Sequence, residues 1–489
     1  MKKQIKKRLV VVSNRLPFSK ITNKKGDQIW EKSVGGLITA MDPILRSTQG
    51  MWVGWDGDLK SSNNCELKVY ESSDIAPEDD DRKGSYSLAV VPLLKKEYEE
   101  YYIKFSNGTL WALFHYFFEK STINYSDWKI YKQVNKKFAS YINDIAGPDD
   151  IIWVQDFHLF LVPYYLRKLR PNAEIHFFLH IPFPHLDIFS ILPWQREILE
   201  SLLCCNTVGF HEKQYLKNYE GCVDVYKREK KLAGNKTVEE NTITHGYANP
   251  ISIDFDTIDK MSRKKSVLKR KKEIIERAGC SKILIGVDRI DYSKGIKERM
   301  LGLETLFEEH PELQGKIFYY QLVVPSRESL EAYSELKKEI DEIIGRINGK
   351  FSKGFWTPIN YNYGTVSFEE LVALYSAADI ALVTPLRDGM NLVCKEYIAA
   401  HSDEDGVLVL SKFAGAISEI KNCITINPYN TDDIAEAIYT AIQMPQKERK
   451  RRMIKMRKNI QANTINIWLE KCLKEFEIAK KGKNEKVIG

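Results

Sequence analysis

At 489 residues the chain exceeds what one hydrophobic core usually serves, so two domains are expected. With 43% hydrophobic and 28% charged residues, its composition is that of a folded globular protein, not of a disordered or fibrous one. A net charge of +7 suits anionic small molecules and is too modest to point to a nucleic acid. The eight cysteines show no C-x-x-C spacing, which predicts a reduced, cytoplasmic protein. The basic N-terminus runs straight into "RLVVVS", without the apolar core and cleavage site of a signal peptide. The most apolar stretch, "IIWVQDFHLFLVPYYL", is broken by Asp156 and His158 and does not read as a membrane span. The Lys-rich ends read as solvated tails.

Short apolar runs alternate with helix-period segments nearly throughout, which predicts βαβ units and parallel sheets. In the first half, strands are expected at Leu9–Ser13, Ile151–Gln155, Ile175–His180 and Thr207–His211. A polar stretch from about Lys227 to Lys272, containing "ANPISIDF", reads as the crossing between two Rossmann-like domains. Further strands are expected at Ile283–Val287, Ile317–Val324, Ile380–Thr384, Val407–Leu410 and Ile424–Ile426, with a helix at Phe368–Ala377. The apolar positions Ile465, Trp468, Leu469, Cys472, Leu473 and Phe476 predict an amphipathic helix near the end. Residues 1–250 and 251–460 are the expected domains, with 461–489 a helix packing back on the first.

Several familiar chemistries find no support. No G-x-x-x-x-G-K-[ST], G-x-G-x-x-G or G-x-S-x-G occurs, which argues against a phosphate-binding loop, a nicotinamide cofactor and a serine hydrolase. No H-E-x-x-H or EF-hand loop occurs either. The triplets Asp56-Gly57-Asp58 and Asp254-Phe255-Asp256 read as loop or helix starts, and the acidic run Glu78–Gly84 as a solvated loop. No metal site is expected.

The residues that follow the strands are more telling. Arg15, Asp156, His180, Arg289, Lys294, Arg327 and Asp388 each come at or just past a strand end. Open parallel sheets bind ligands beyond the carboxyl ends of their strands. These groups therefore predict a cleft rich in cations, whose mutual repulsion calls for anionic ligands. In "ADIALVTPLRDGMNLVCKEYIAA" an apolar run, a charged loop and a helix start follow one another. That order predicts an anion held by the first amides of a helix.

The segments "VVSNRLPF", "SVGGLITAM", "MWVGWDG", "FSNGTLWALFHY", "IIWVQDFHLFLVPYYLR", "FFLHIPFP", "IGVDRIDYSKG", "VPSR", "GRINGKF" and "TPLRDGMNLVCKEYIAA" resemble the trehalose-6-phosphate synthases, in order, from about residue 11 to about residue 400. The resemblance implies the α/β GT-B fold, two Rossmann-like domains facing an inter-domain cleft. It implies retaining, metal-independent transfer of glucose from a nucleotide-glucose such as UDP-glucose to glucose 6-phosphate. It further implies that Arg289 and Lys294 clamp the donor diphosphate, that Asp388 holds donor hydroxyls and that His180 lies beside the donor sugar. Gly35, Gly36, Val366, Gly389, Met390, Asn391, Leu392, Val393 and Glu396 would complete the donor side. On the acceptor side it implies Arg15 and Arg327 as the phosphate grip, with Tyr102, Trp111, Trp55 and Asp156. No cofactor, nucleic acid or membrane is implied, and oligomeric state is open, a homo-oligomer included.

Four departures stand out. Gln155 replaces the His usual before Asp156, and Phe157 replaces Tyr. Ser252 replaces Gly in P-I-G-I-D, and Glu328 stands where Gly is common. "ILPWQREILESLL" also resembles the glucosylglycerol-phosphate synthases, which would take glycerol 3-phosphate or another phosphorylated acceptor.

Overall fold

The computed structural model describes residues 7–22, 27–32, 36–60, 67–75, 84–233, 244–326 and 330–487. Gly35, Arg327, Glu328 and nearly all of the acidic run Glu78–Gly84 lie outside the described residues, as do the chain ends. The chain divides into two compact units, Met1–Pro250 with Trp468–Gly489, and Ile251–Ile467.

The first unit is built on eight strands, named in chain order: β1 (Leu9–Arg15), β2 (Met51–Trp55), β3 (Lys68–Glu71), β4 (Ser87–Val90), β5 (Ile151–Gln155), β6 (Glu174–Phe178), β7 (Thr207–Phe210) and β8 (His245–Ala248). Their order across the sheet is β8-β7-β6-β5-β1-β2-β4-β3. Only the edge strand β3 runs antiparallel, against β4. The central strands read as unbroken apolar runs, "LVVV" and "IIWV", because helices on both faces leave no solvated side. A hairpin of Phe18–Thr22 and Gln28–Lys32 leads from β1 towards the helix Gly36–Thr48.

The second unit holds β9 (Lys282–Arg289), β10 (Ile317–Val324), β11 (Ile359–Tyr363), β12 (Ile380–Val383), β13 (Val407–Ser411) and β14 (Ile424–Ile426). Their order is β11-β10-β9-β12-β13-β14, and every pair is parallel. This is the doubly wound 3-2-1-4-5-6 order, with its reversal between β9 and β12. Helices start on side-chain caps: Ser367 accepts from the Glu370 amide at 3.1 Å, and Asn430 from that of Asp432 at 3.0 Å.

The polar stretch at 227–272 is more structured than its composition suggests. The helix Lys213–Ala233 runs into it, β8 lies within it, and the helices Phe255–Ser262 and Lys265–Ala278 fill its second half. Its charges lie on the outer faces of helices that bury Phe255, Ile258 and Val267. Asp254 caps the first of these, accepting from the Thr257 amide at 3.1 Å, and Asp56 accepts from the Asp58 amide at 3.1 Å. Both triplets are therefore local turns and caps.

The helix Ile465–Val487 covers the first unit's sheet. Trp468 stacks at 5.6 Å on Trp153 and meets Phe178 edge-on at 5.3 Å, while Phe476 stacks at 3.6 Å on the His176 ring. Asn249 Nδ2 donates to Trp468 O at 2.8 Å, and Trp468 Nε1 donates back to Asn249 O at 3.2 Å. Trp468→Ala is expected to cost about 3–5 kcal/mol in urea unfolding, as for other buried aromatics. A loss below about 1 kcal/mol would show that the helix does not seal this core.

Candidate active site

In the first unit the winding reverses between β1 and β5, so the loops after these two strands part there. Arg15 closes β1, and its guanidinium lies 4.7 Å from the Trp55 ring centroid and 5.8 Å from that of Tyr102. The Tyr98 ring packs against Trp55 at 5.0 Å and Tyr102 at 5.3 Å. Tyr102 in turn stacks on His158 at 5.6 Å. The tyrosines belong to a wide π-helical segment, Tyr98–Leu110, in which the Trp111 amide reaches back to Ser106 O. Trp111 is buried, 4.0 Å from the His115 ring and 5.9 Å from that of Phe157.

Asp156 follows β5 in a conformation few side chains adopt, with φ 73°. Such backbone costs on the order of 1–3 kcal/mol and persists only when its surroundings hold it. Here its amide donates to Phe178 O at 2.8 Å, and its Oδ1 accepts from the Phe157 and His180 amides at 3.0 and 3.2 Å. His180 lies two residues beyond the end of β6, not within the strand, so its ring clears the sheet edge. Its Nε2 meets Gln155 Oε1 at 2.9 Å. Burial lowers its pKa to about 3, so the ring is uncharged at neutral pH.

The second unit repeats the arrangement with different chemistry. Arg289 closes β9, exposed, and makes no side-chain hydrogen bond or ion pair among the described residues. Five residues on, a short turn places Lys294: Asp291 Oδ1 accepts from the Ser293 amide at 2.9 Å, and Gly295 follows at φ 61°. A Cβ on Gly295 would lie 2.1 Å from Thr384 O, so only glycine lets this turn meet the end of β12. Lys294 Nζ pairs with Asp388 Oδ2 at 2.7 Å, both groups being buried.

The loop carrying Asp388 is held on every side. The Asp388 amide donates to Phe413 O at 3.1 Å, and the Gly415 amide donates to Asp388 O at 3.0 Å. Asn391, at φ 76°, donates from Nδ2 to Asp388 Oδ2 at 3.1 Å, while its Oδ1 accepts from the Cys394 amide at 3.1 Å. One side chain thus steadies the acid and caps the helix Val393–Ala400. Glu396, in the first turn, accepts from Tyr375 OH at 3.2 Å, and burial pushes its carboxyl above the ordinary range. Gly389 and Met390 are buried, and Leu392 and Val393, which follow them, and Val366, after β11, are half-buried.

Beneath this surface lies Arg299, fully buried. It donates to Asp288 Oδ2 at 2.7 Å, Thr384 Oγ1 at 2.9 Å, Gln321 Oε1 at 3.0 Å and Lys294 O at 3.4 Å. One guanidinium therefore ties β9 and β10 to the loop after β12 and to the Lys294 turn.

The expectation of cations without local partners fails at Lys294, which already has Asp388. The two residues lie 94 positions apart, a pairing that strand-end reasoning does not reveal. Gly36 begins the helix Gly36–Thr48. Four residues that shape these sites escaped the sequence reading: Tyr98, His158, Arg299 and, as a contact of His180, Gln155. Tyr98 has a signal in hindsight, the spacing to Tyr102 in "YEEYY". Arg299 has none, being one Arg in a helical pattern. Among the described residues no three His, Cys, Asp or Glu side chains gather as a metal would require.

Two doubly wound units with polar groups at their reversals define a GT-B protein, and solved structures of that fold superpose on this chain. A Burkholderia xenovorans alpha,alpha-trehalose-phosphate synthase in complex with glucose-6-phosphate has a TM-score of 0.84 and 32% identity, covering 96% of this chain and 100% of its own. An E. coli protein bound with UDP-2-fluoro glucose has a TM-score of 0.83 and 33% identity, covering 96% and 98%. The model of glycosyltransferase family 20 matches residues 7–478, and the chain belongs to that family. In Dictyostelium discoideum the UDP-forming alpha,alpha-trehalose-phosphate synthase A is 37% identical over 96% of this chain, which spans 63% of that relative's length.

Gly295→Ala is expected to lower stability by about 1–3 kcal/mol, since it meets both an unfavourable φ and the Thr384 carbonyl. An unchanged urea midpoint would show that the Lys294 turn tolerates displacement.

Proposed function

We propose that the chain transfers glucose from UDP-glucose to glucose 6-phosphate with retention, forming trehalose 6-phosphate. One observation carries the reading: two relatives with these ligands or a close analogue of the donor match 96% of the chain each, at 32% and 33% identity. In this reading the unit around residues 1–250 serves the acceptor, 251–460 serves the nucleotide sugar, and the helix within 461–489 belongs with the first.

The assigned roles follow the local chemistry. Arg15, resting on the Trp55 and Tyr102 rings, offers a guanidinium for the acceptor phosphate, and Arg327 supplies a second. Trp111 lines this pocket, and Asp156 accepts from acceptor hydroxyls. On the donor side Arg289 and Lys294 take the diphosphate, with the backbone of Gly389–Val393 and the Glu396 carboxyl holding the rest of the nucleotide sugar. Gly35 and Gly36 allow close backbone approach to the donor, and Val366 flanks it. Asp388 keeps Lys294 in place and turns its remaining lone pairs to the glucose hydroxyls.

During transfer the anomeric carbon's bond to the diphosphate breaks, and its bond to the acceptor oxygen forms on the same face. The acceptor's proton passes to the departing phosphate oxygen. The negative charge that gathers there is what Arg289 and Lys294 stabilise, and one such donor can contribute roughly 3–4 kcal/mol. His180, uncharged, adds polarity beside the sugar without a competing charge. No cofactor is assigned. No disulfide joins the seven described cysteines, which supports a cytoplasmic setting. No helix among the described residues is long and apolar enough to cross a membrane.

The deciding assay measures nucleoside diphosphate release from UDP-, ADP- and GDP-glucose, with glucose 6-phosphate or glycerol 3-phosphate as acceptor. Release with UDP-glucose and glucose 6-phosphate is expected. Release only with glycerol 3-phosphate, or none in any pairing, overturns the reading. Arg289→Ala should lower kcat by about 10²–10³. It is a cleaner variant than Lys294→Ala, which would strand the buried Asp388 carboxylate at a cost of about 3–5 kcal/mol. Near-normal turnover in Arg289→Ala would remove the diphosphate clamp. Arg327→Ala should chiefly raise the glucose 6-phosphate KM, since a grip kept throughout reaction is uniform binding. An unchanged KM would count against that role.

A further inference from the structure

We propose that Gln155 is a positioning residue that holds the His180 imidazole in one orientation and one tautomer, the proton on Nε2 and the lone pair on Nδ1. The proposal deepens the glucosyl-transfer reading above and rests on it for the importance of His180.

The argument begins with a cost. Gln155 is fully buried at the end of β5, and its Nε2 has no hydrogen-bond partner. An unsatisfied buried donor is destabilising, because it gives up its bond to water and gains none in return. An apolar side chain of similar size would avoid that penalty, so stability alone does not account for an amide here. What the amide does make is a single bond from its Oε1 to His180 Nε2, at 2.9 Å. A carboxamide oxygen only accepts, so Nε2 must carry the hydrogen, and Nδ1 is left as the acceptor. Among the described residues Nδ1 makes no hydrogen bond, so it is the ring atom open to a ligand hydroxyl.

The surroundings reinforce the choice of a neutral partner. His180 packs against Phe178 at 4.8 Å, His211 at 5.2 Å and Trp468 at 6.4 Å. The charged group nearest in the chain trace, Asp156, has its Oδ1 occupied by the amides of Phe157 and His180 itself. His211 is the other titratable ring, and it too is buried. Among the described residues no ion pair joins a carboxylate to the imidazole, and burial lowers its pKa to about 3. The family's usual His at this position could exchange a proton with His180, whereas Gln155 cannot.

The test reads the tautomer directly. Nitrogen-15 NMR of histidine-labelled protein, with His180→Gln used to identify the resonance, should show wild-type His180 protonated on Nε2 and not titrating between pH 5 and 8. Gln155→Leu should fold with a melting temperature within a few degrees of wild type, show both tautomers, and lose about tenfold in kcat with little change in either KM. Gln155→Glu places a carboxylate on Nε2, so the ring should titrate within pH 5 to 8 and kcat should acquire the same pH dependence. The proposal is overturned by an Nδ1-protonated ring in the wild type, by wild-type tautomer and kinetics in Gln155→Leu, or by a ring that stays neutral at pH 5 in Gln155→Glu. Should Gln155→Glu not fold, the wild-type tautomer and Gln155→Leu still decide. The NMR reading needs no turnover, so an inactive protein with the expected tautomer would fail the glucosyl-transfer reading and leave the positioning intact.

Discussion

A parallel sheet brings every strand back to the same edge, and where its winding reverses, two neighbouring loops must part. This constraint sets the position of every group discussed above. In the first unit it separates the loops after β1 and β5, and so brings Arg15 and Asp156 to one place. In the second it separates those after β9 and β12, and so brings Lys294 to Asp388 across 94 residues of chain. The helices and outer strands serve chiefly to hold these reversals still.

The two reversals are held by different means. In the second unit the anchor is electrostatic: Arg299, beneath the surface, joins two strands, the β12 loop and the Lys294 carbonyl. Breaking such a network leaves charge buried without compensation, so its geometry is strongly fixed. In the first unit aromatic packing and backbone strain do the same work. Arg15 rests on rings, and Asp156 is kept at a positive φ by three hydrogen bonds.

How much of this was legible in the sequence depends on what kind of signal a residue leaves. The strands Ile151–Gln155, Ile317–Val324 and Ile424–Ile426 and the helix Phe368–Ala377 were read to the residue, from short apolar runs and from helical spacing of apolar positions. The strand Met51–Trp55 was seen only as a motif, since its Gly and two Trp do not make such a run. The His245–Ala248 strand was lost inside a polar stretch whose charges face outward from helices. Reading along the strands placed Arg15, Asp156, Arg289 and Asp388 at or just past strand ends, where the structure has them. It could not show that Lys294 is already paired, nor that Tyr98 and His158 extend the ring stack, because those contacts depend on a wide helical turn that has no sequence period.

The first unit is discontinuous in the chain, completed by the helical residues from Trp468 onward, which are made only after the whole of Ile251–Ile467. During synthesis the rings of Trp153 and Phe178 and the imidazole of His176 must therefore wait uncovered while the ribosome completes the other unit. The contiguous unit can reach its native core first, so maturation runs against the order of translation. The nascent chain therefore exposes, for that interval, the rings that Trp468 and Phe476 later cover.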